Sequence, residues 1–269
     1  MNLEGLTLHI LTKELQTELL GSKIYRVFMP KANAVLFNIK RERDTVCLLG
    51  DLNGASPALY IPARQPENPE IPPAFCMLLR KHLEEGRITS IEQSGLDRVI
   101  TFEIDMLGER SRIITKKLIF ELAGKNSNII LVQDGIIIDA LRHIGMSQNS
   151  YRVVLPGKEY VAPPIQDGLS ILDADPEEIV ETANSLPIPS FARNFMTATT
   201  GIGKATTAEL LKIADIPEQI DKLDYANMNI LREVVSGLQT KVQTAPYPVY
   251  AVIGRTNQVK TILTLEPQV

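Results

Sequence analysis

The chain has 269 residues, a formal net charge of −4 and 44% apolar residues. That is enough to build a core of its own, and no segment approaches the roughly 18–20 continuous apolar residues of a membrane helix. The two cysteines, Cys47 and Cys76, lie far apart without metal or disulfide spacing and read as buried thiols of a reducing compartment. Through residue 160, Lys and Arg (20) balance Asp and Glu (19), whereas the remainder is acidic (8 against 13). Basic residues of the first part are clustered: Lys40-Arg41-Arg43, Arg80-Lys81, Arg110-Arg112 and Lys116-Lys117. A local patch can bind phosphate on an acidic protein, and each cluster taken singly is equally an ordinary solvated face.

In chain order, Leu8, Leu11, Leu15 and Leu19 repeat at helical spacing, and Gly21 follows as a stop. Short strand-like runs come next: KIYRVFM, AVLFNIK, TVCLLGD and ALYI. The stretch PEIPPAFCMLLRKHLEEGRI, Pro69 to Ile88, predicts a helix with a buried face and a cationic end, with Gly86 at its C-terminal cap. Four more strand-like runs follow: RITSIEQ, RVITFEID, RIITKKLIFEL and NIILVQDGIIIDAL. In the last, Asp134-Gly135 between two apolar segments signals a hairpin. Many short strands with glycine-containing turns predict an antiparallel β-sandwich or barrel with flanking helices, an α+β fold.

The pattern changes near residue 170. Asp175-Pro176-Glu177-Glu178 reads as an N-cap, a first-turn proline and first-turn acids. Helices are predicted at 176–185, 190–199, 204–214 and 225–242. The period becomes strand-like again after Pro248: VYAVIG, a turn RTNQ, and VKTILTL. Between the second and third of these helices, Gly201-Ile202-Gly203-Lys204 reads as the turn of a helix-hairpin-helix, with backbone amides at the next helix start that can face a phosphate. A plain glycine-capped turn fits the same residues. The segment is no nucleotide-binding loop, because Ala198 and Ala205 break the GxxxxGK[ST] spacing.

Other polar positions are open to two readings on chemistry alone. Asp97-Arg98 opens a predicted strand and suits a surface charge pair or a bidentate phosphate or base-edge contact. Gly124-Lys125-Asn126-Ser127-Asn128 is a turn between strands that equally offers donors to a phosphate. The three histidines lack metal spacing, and neither a nucleophile elbow nor a dinucleotide fingerprint is present. No cofactor and no metal are expected.

Taken as whole strings, the Pro69–Ile88 segment, the opening MNLEGLTLHILTKELQTELLGSKIYRVFMP, SGLDRVI, ELAGKNSNIILVQDGIIIDALRHI and YRVVLPGKEYVAPP resemble the motifs of the NFACT-N domain. This is the domain of the RqcH/NEMF family of ribosome-associated quality-control factors, also labelled fibronectin-binding protein A. The resemblance implies an NFACT-N domain over 1–173, a helical module with the helix-hairpin-helix over 174–245, and a terminal strand pair over 246–269 leading toward a coiled-coil and an NFACT-R domain. It implies a fold similar to the N-terminal part of formamidopyrimidine-DNA glycosylases. The catalytic N-terminal proline of those enzymes is absent from Met1-Asn2-Leu3-Glu4, so the expectation is a binding factor and no enzyme.

The implied role is cytoplasmic and ribosome-associated. The protein would bind a large ribosomal subunit obstructed by peptidyl-tRNA, contact rRNA, and recruit alanyl-tRNA for untemplated alanine tailing of the stalled chain. Asp97 and Arg98 then take tRNA recognition. Arg80, Lys81, Lys125, Asn126, Ser127 and Asn128 are expected to face RNA or the ribosome. The older label implies the alternative, a surface adhesin for fibronectin or fibrinogen. No membrane partner is expected.

Overall fold

The computed structural model describes residues 3–52, 56–244, 249–253, 259–264 and 266–267. The predicted RTNQ turn at 255–258 lies outside them. The chain divides into two compact units, neither of them contiguous in sequence. One comprises residues 12–94 and 98–164, the other residues 1–11, 95–97 and 165–269. The first helix, α1 (Gly5–Leu19), contributes its first turns to the second of these units and the rest to the first.

The larger unit is built on one antiparallel sheet. Its strands are β1 (Lys23–Lys31), β2 (Ala34–Lys40), β3 (Thr45–Asp51), β4 (Ala58–Tyr60), β5 (Arg87–Gln93), β6 (Val99–Leu107), β7 (Ile113–Glu121), β8 (Asn128–Gln133) and β9 (Ile136–Ala140). Their order is β4-β3-β2-β1-β5-β6-β7-β8-β9. The sheet folds over on itself. Phe37 of β2 meets Phe120 of β7 edge-on at 6.2 Å between ring centroids, and Phe102 of β6 meets Phe120 at 5.6 Å. Gly50 on β3 permits this closeness, since a Cβ there would stand 2.6 Å from the Phe120 ring. The predicted antiparallel sandwich-like α+β fold is therefore present.

Local chemistry explains the turns. Gly21 adopts φ +78° just past α1, the left-handed conformation that glycine enters without a Cβ clash. Asp134 and Gly135 both have positive φ, +50° and +80°, as a two-residue hairpin loop of the mirror-image type requires. The helix α2 (Ala74–Leu83) buries Cys76, Leu79 and Leu83 along one stripe. Its end differs from expectation. The left-handed residue is Glu85, φ +70°, whereas Gly86 is needed for space, with Met106 and Ile104 lying where its Cβ would go.

A buried ion pair fixes the segment that leaves the sheet. Arg152 (7% exposed) donates two bonds to Glu121 (1%) at 2.6 and 2.5 Å, and a third to the Val161 carbonyl at 2.9 Å. The Tyr160 hydroxyl donates to the same carboxylate at 3.0 Å. Burial beside that negative charge pushes the Tyr160 phenol strongly upward, so it stays protonated and remains a donor.

The smaller unit is helical: α3 (Pro176–Ser185), α4 (Phe191–Ala198), α5 (Lys204–Ile213) and α6 (Tyr225–Gln243), all close to the predicted spans. Asp175 caps α3 by accepting from Glu177 N–H at 2.8 Å, and Asp224 caps α6 through Asn227 N–H at 2.9 Å. Leu6, Ile10, Phe191, Phe195, Leu210, Leu231 and Val235 belong to its core. Strands β10 (Leu169–Ser170) and β11 (Thr199–Thr200) pair in parallel, and β12 (Tyr250–Ile253) pairs with β13 (Val259–Leu263) antiparallel.

The ion pair yields a stability prediction. Arg152→Met leaves the Glu121 carboxylate buried without its charge partner and should cost about 3–5 kcal/mol. Combining Arg152→Met with Glu121→Leu should recover much of that loss. Urea unfolding of the three proteins checks both expectations.

Candidate nucleic-acid interface

The Asp97-Arg98 pair sits on the turn that joins β5 to β6. Ser94 N–H donates to the Val99 carbonyl at 3.0 Å and closes the turn, while Gly95 supplies φ +54°. Leu96 then packs against the helical core. Three backbones meet there. A Cβ on Gly5 would overlap the Leu96 carbonyl oxygen and stand 3.1 Å from Gly201 Cα, and one on Gly201 would lie 2.5 Å from Leu96 Cδ1. Leu6 N–H donates to the Gly201 carbonyl at 2.7 Å. After Asp97, the Arg98 carbonyl accepts from Leu122 N–H at 2.7 Å.

Both residues of the pair are half-buried, not fully exposed at a strand start. Asp97 has an interaction partner. Among the described residues the Arg98 guanidinium has no hydrogen-bond or ion-pair partner. Arg98 thus has its carbonyl bonded to Leu122 and leaves one planar set of five N–H donors unused, the donor set suited to a phosphate or a base edge.

The neighbouring basic residues divide. Arg80, expected to face RNA, is turned inward. Its Nε donates to the Val27 carbonyl at 2.8 Å, its guanidinium lies 5.5 Å over the Phe28 ring, and Glu84 is 3.9 Å away. Lys81 is exposed. Lys116 of β7 is 8% exposed, and its ammonium contacts His82 Nδ1 at 3.0 Å and the His82 carbonyl at 3.2 Å. This places a cation on the C-terminal turn of α2, where carbonyls lack helical partners. Burial, then the charge of Lys81, pushes the Lys116 amine down. Burial, then Lys116 and Lys81, pushes the His82 imidazole down.

The Gly124–Asn128 turn also divides. Lys125 and Asn126 are exposed. Ser127 and Asn128, expected to face RNA, are fully buried. Ser127 Oγ donates to the Gly124 carbonyl at 2.6 Å. Asn128 Nδ2 donates to the Arg142 carbonyl at 2.8 Å, and its Oδ1 accepts from Ile129 and Arg142 amides at 3.0 and 2.9 Å. Asn128 satisfies backbone groups that the turn strips from the sheet, and its full burial keeps it from a ligand on the surface. Arg142 completes the arrangement by donating to the Lys125 carbonyl at 2.8 Å and the Leu52 carbonyl at 3.3 Å.

In the hairpin, α4 ends at Ala198 and α5 begins at Lys204, and the residues between are non-helical. The start of α5 is not left open as expected. Glu4, itself buried, accepts from Ala205 N–H through Oε1 at 3.1 Å, and Gly203 gives that carboxylate room. An internal carboxylate thereby takes one amide that a phosphate would use. Sequence reading missed Glu4, Arg142 and the Lys116–His82 contact. Only the last carried a local signal, since Lys116 stands in a basic cluster and His82 directly follows another. Among the described residues no group of three or more His, Cys, Asp or Glu is arranged to hold a metal, and no helix is long and apolar enough to cross a membrane.

Residues 4–268 match the family model for NFACT N-terminal and middle domains, and the chain belongs to that family. It is 40% identical over 182 residues to the Rqc2 homolog RqcH of Bacillus subtilis (strain 168), covering 67% of this chain and 32% of that protein. It is 33% identical over 225 residues to the Rqc2 homolog RqcH of Streptococcus suis (strain 05ZYH33), covering 83% and 40%. The chain thus spans well under half the length of these relatives. Its fold is similar to the N-terminal structure of the fibronectin/fibrinogen-binding protein from Streptococcus suis, with a TM-score of 0.77 and 29% identity over 97% of this chain and 90% of the other.

The His82 environment predicts a pH dependence. Its folded value lies below the ordinary 6.5, so the unfolded chain binds the proton more readily. Stability should be full above about pH 6.5 and fall as pH drops through the folded value. His82→Gln should flatten that acid-side decline. Unfolding free energies of both proteins between pH 5 and pH 8, chosen to span the ordinary value, test this.

Proposed function

We propose that this chain is the tRNA-recognising part of a ribosome-associated quality-control factor. Its partners are a large ribosomal subunit carrying peptidyl-tRNA, the rRNA around it, and an incoming alanyl-tRNA. Peptide-bond chemistry on this reading belongs to the ribosome, and the chain supplies positioning for untemplated alanine tailing. The reading is supported by family membership and by the names of the curated relatives.

The observation that carries it to particular residues is the Asp97-Arg98 turn. The Arg98 carbonyl is already bonded to Leu122, so binding by the unpartnered guanidinium orders the side chain without also having to order that carbonyl. Lys81, Lys125 and Asn126 are exposed and can extend the same RNA-facing role. The glycines of the hairpin serve it by backbone fit. Adhesion to fibronectin or fibrinogen is the second reading, favoured by the name of the similar streptococcal structure.

The test is a pair of Arg98 variants. Arg98→Ala should weaken tRNA binding by roughly 1–3 kcal/mol, the range for a bidentate readout contact. Arg98→Lys should recover only part of it, because lysine keeps the charge without the planar fork. Melting should barely move, since the side chain has no internal partner to lose. Unchanged tRNA binding by Arg98→Ala, alongside tight binding of fibronectin by both proteins, would favour adhesion.

A further inference from the structure

Four basic clusters stand out in the sequence of the sheet unit, and the structure treats them differently. In the first, Arg41 is held by Glu18 and Asp44. In the second, Arg80 is turned onto Val27 and Phe28. In the fourth, Lys116 sits on the end of α2 and Lys117 pairs with Glu103 at 3.1 Å. Only in Arg110-Arg112 does every charged side chain of the cluster lack a hydrogen-bond or ion-pair partner among the described residues, counting Arg80 and Arg41 as the committed members of theirs. Both are exposed.

These arginines sit at the tip of the β6–β7 hairpin, and the tip has two further properties. Leu107 and Ile113 face each other across the strands and are 78% and 64% exposed. Such a pair raises the cost of hydration unless something covers it. The backbone between them is also unusual. Arg110 and Ser111 take positive φ in succession, +55° and +60°, a conformation that residues other than glycine adopt at a free-energy cost. The tip is nevertheless closed, by Gly108 N–H to the Arg112 carbonyl at 2.8 Å and Arg112 N–H to the Glu109 carbonyl at 3.2 Å. Gly108 is confined as well, since Ile114 Cδ1 lies 2.6 Å from where its Cβ would stand.

We propose that the β6–β7 tip, Leu107 to Ile113, is a finger that contacts RNA. Arg110 and Arg112 grip successive phosphates, and the Leu107–Ile113 pair packs against bases or riboses of an unstacked segment. The proposal rests on the RNA-binding reading above and adds to it a second surface, distinct in sequence from the Asp97-Arg98 turn. Charge selects RNA over protein as occupant. Glu109 is the one acid within the tip, so two unpaired guanidinium groups remain for an anionic partner, and RNA presents phosphates at regular spacing beside apolar base faces.

The experiment measures binding of this chain to purified large ribosomal subunits and, separately, to tRNA, across a series of salt concentrations. It compares wild type, Arg110→Gln with Arg112→Gln, Leu107→Ser with Ile113→Ser, and Arg98→Ala, each with its melting temperature. The arginine pair variant should bind one of the two RNA probes several-fold to about tenfold more weakly at moderate salt. Its log–log salt slope should fall by roughly 0.7–0.9 for each phosphate that the variant no longer neutralises. The apolar pair variant should weaken the same probe with its slope unchanged, and melting should hold in both. An unchanged slope and affinity in the arginine variant, with Arg98→Ala still impaired, overturns the finger while leaving the RNA-binding reading intact. Weakening confined to the apolar pair variant and to the ribosomal subunit, with tRNA binding unchanged, overturns it in favour of a protein partner on the subunit. Wild-type binding to neither probe overturns both readings.

Discussion

Gly5, Leu96 and Gly201 come so close that side-chain atoms on either glycine would displace backbone or the Leu96 side chain. The Leu6 to Gly201 hydrogen bond, 2.7 Å, is possible only at that separation. Much else follows from this contact. It seats Leu96 against the helical core and so fixes the residue before Asp97. It also sets Glu4, one residue before Gly5, at the start of α5, where its carboxylate accepts from Ala205. The backbone leading into Asp97 is therefore anchored on the helical core at Leu96.

Charge is distributed unevenly between structure and surface. Four arginines of the sheet unit are committed to internal partners: Arg152 to Glu121, Arg142 to two carbonyls, Arg80 to Val27 and Arg41 to two acids. A guanidinium so committed is a structural part, because withdrawing it would leave a carbonyl or carboxylate unpaired. Arg98, Arg110 and Arg112 are different, since no interaction in the described fold is broken when they turn to a ligand. Net charge conceals this difference. A chain of formal charge −4 can still present selected cations to a polyanion.

Features governed by local chemistry were legible in the sequence. The helix spans from α3 to α6 follow from caps and periodicity, and the Asp134-Gly135 hairpin follows from the residues that tolerate positive φ. Features set by long-range contact were not. Gly86 looks like a helix cap, yet Glu85 takes that conformation and Gly86 answers to Met106 and Ile104. Ser127 and Asn128 look like ligand donors, yet the backbone of a segment 14 residues away, at Arg142, consumes Asn128. Glu4 carries no local signal at all, because its partner Ala205 is 201 residues distant. The Asp97-Arg98 pair was visible as a motif, while the packing of Leu96 and the bond from Leu122 to the Arg98 carbonyl were not.

The central claim is that Arg98, its carbonyl bonded to Leu122, presents its guanidinium to tRNA. Amide hydrogen exchange of this chain, with and without tRNA, addresses it directly. The bond to the Arg98 carbonyl predicts slow exchange at the Leu122 amide already in the free protein. Binding at Arg98 predicts further slowing across residues 94–98 when tRNA is added, with α6 unaffected. Rapid exchange at Leu122 in the free chain, or a tRNA footprint that leaves residues 94–98 untouched, would contradict the account.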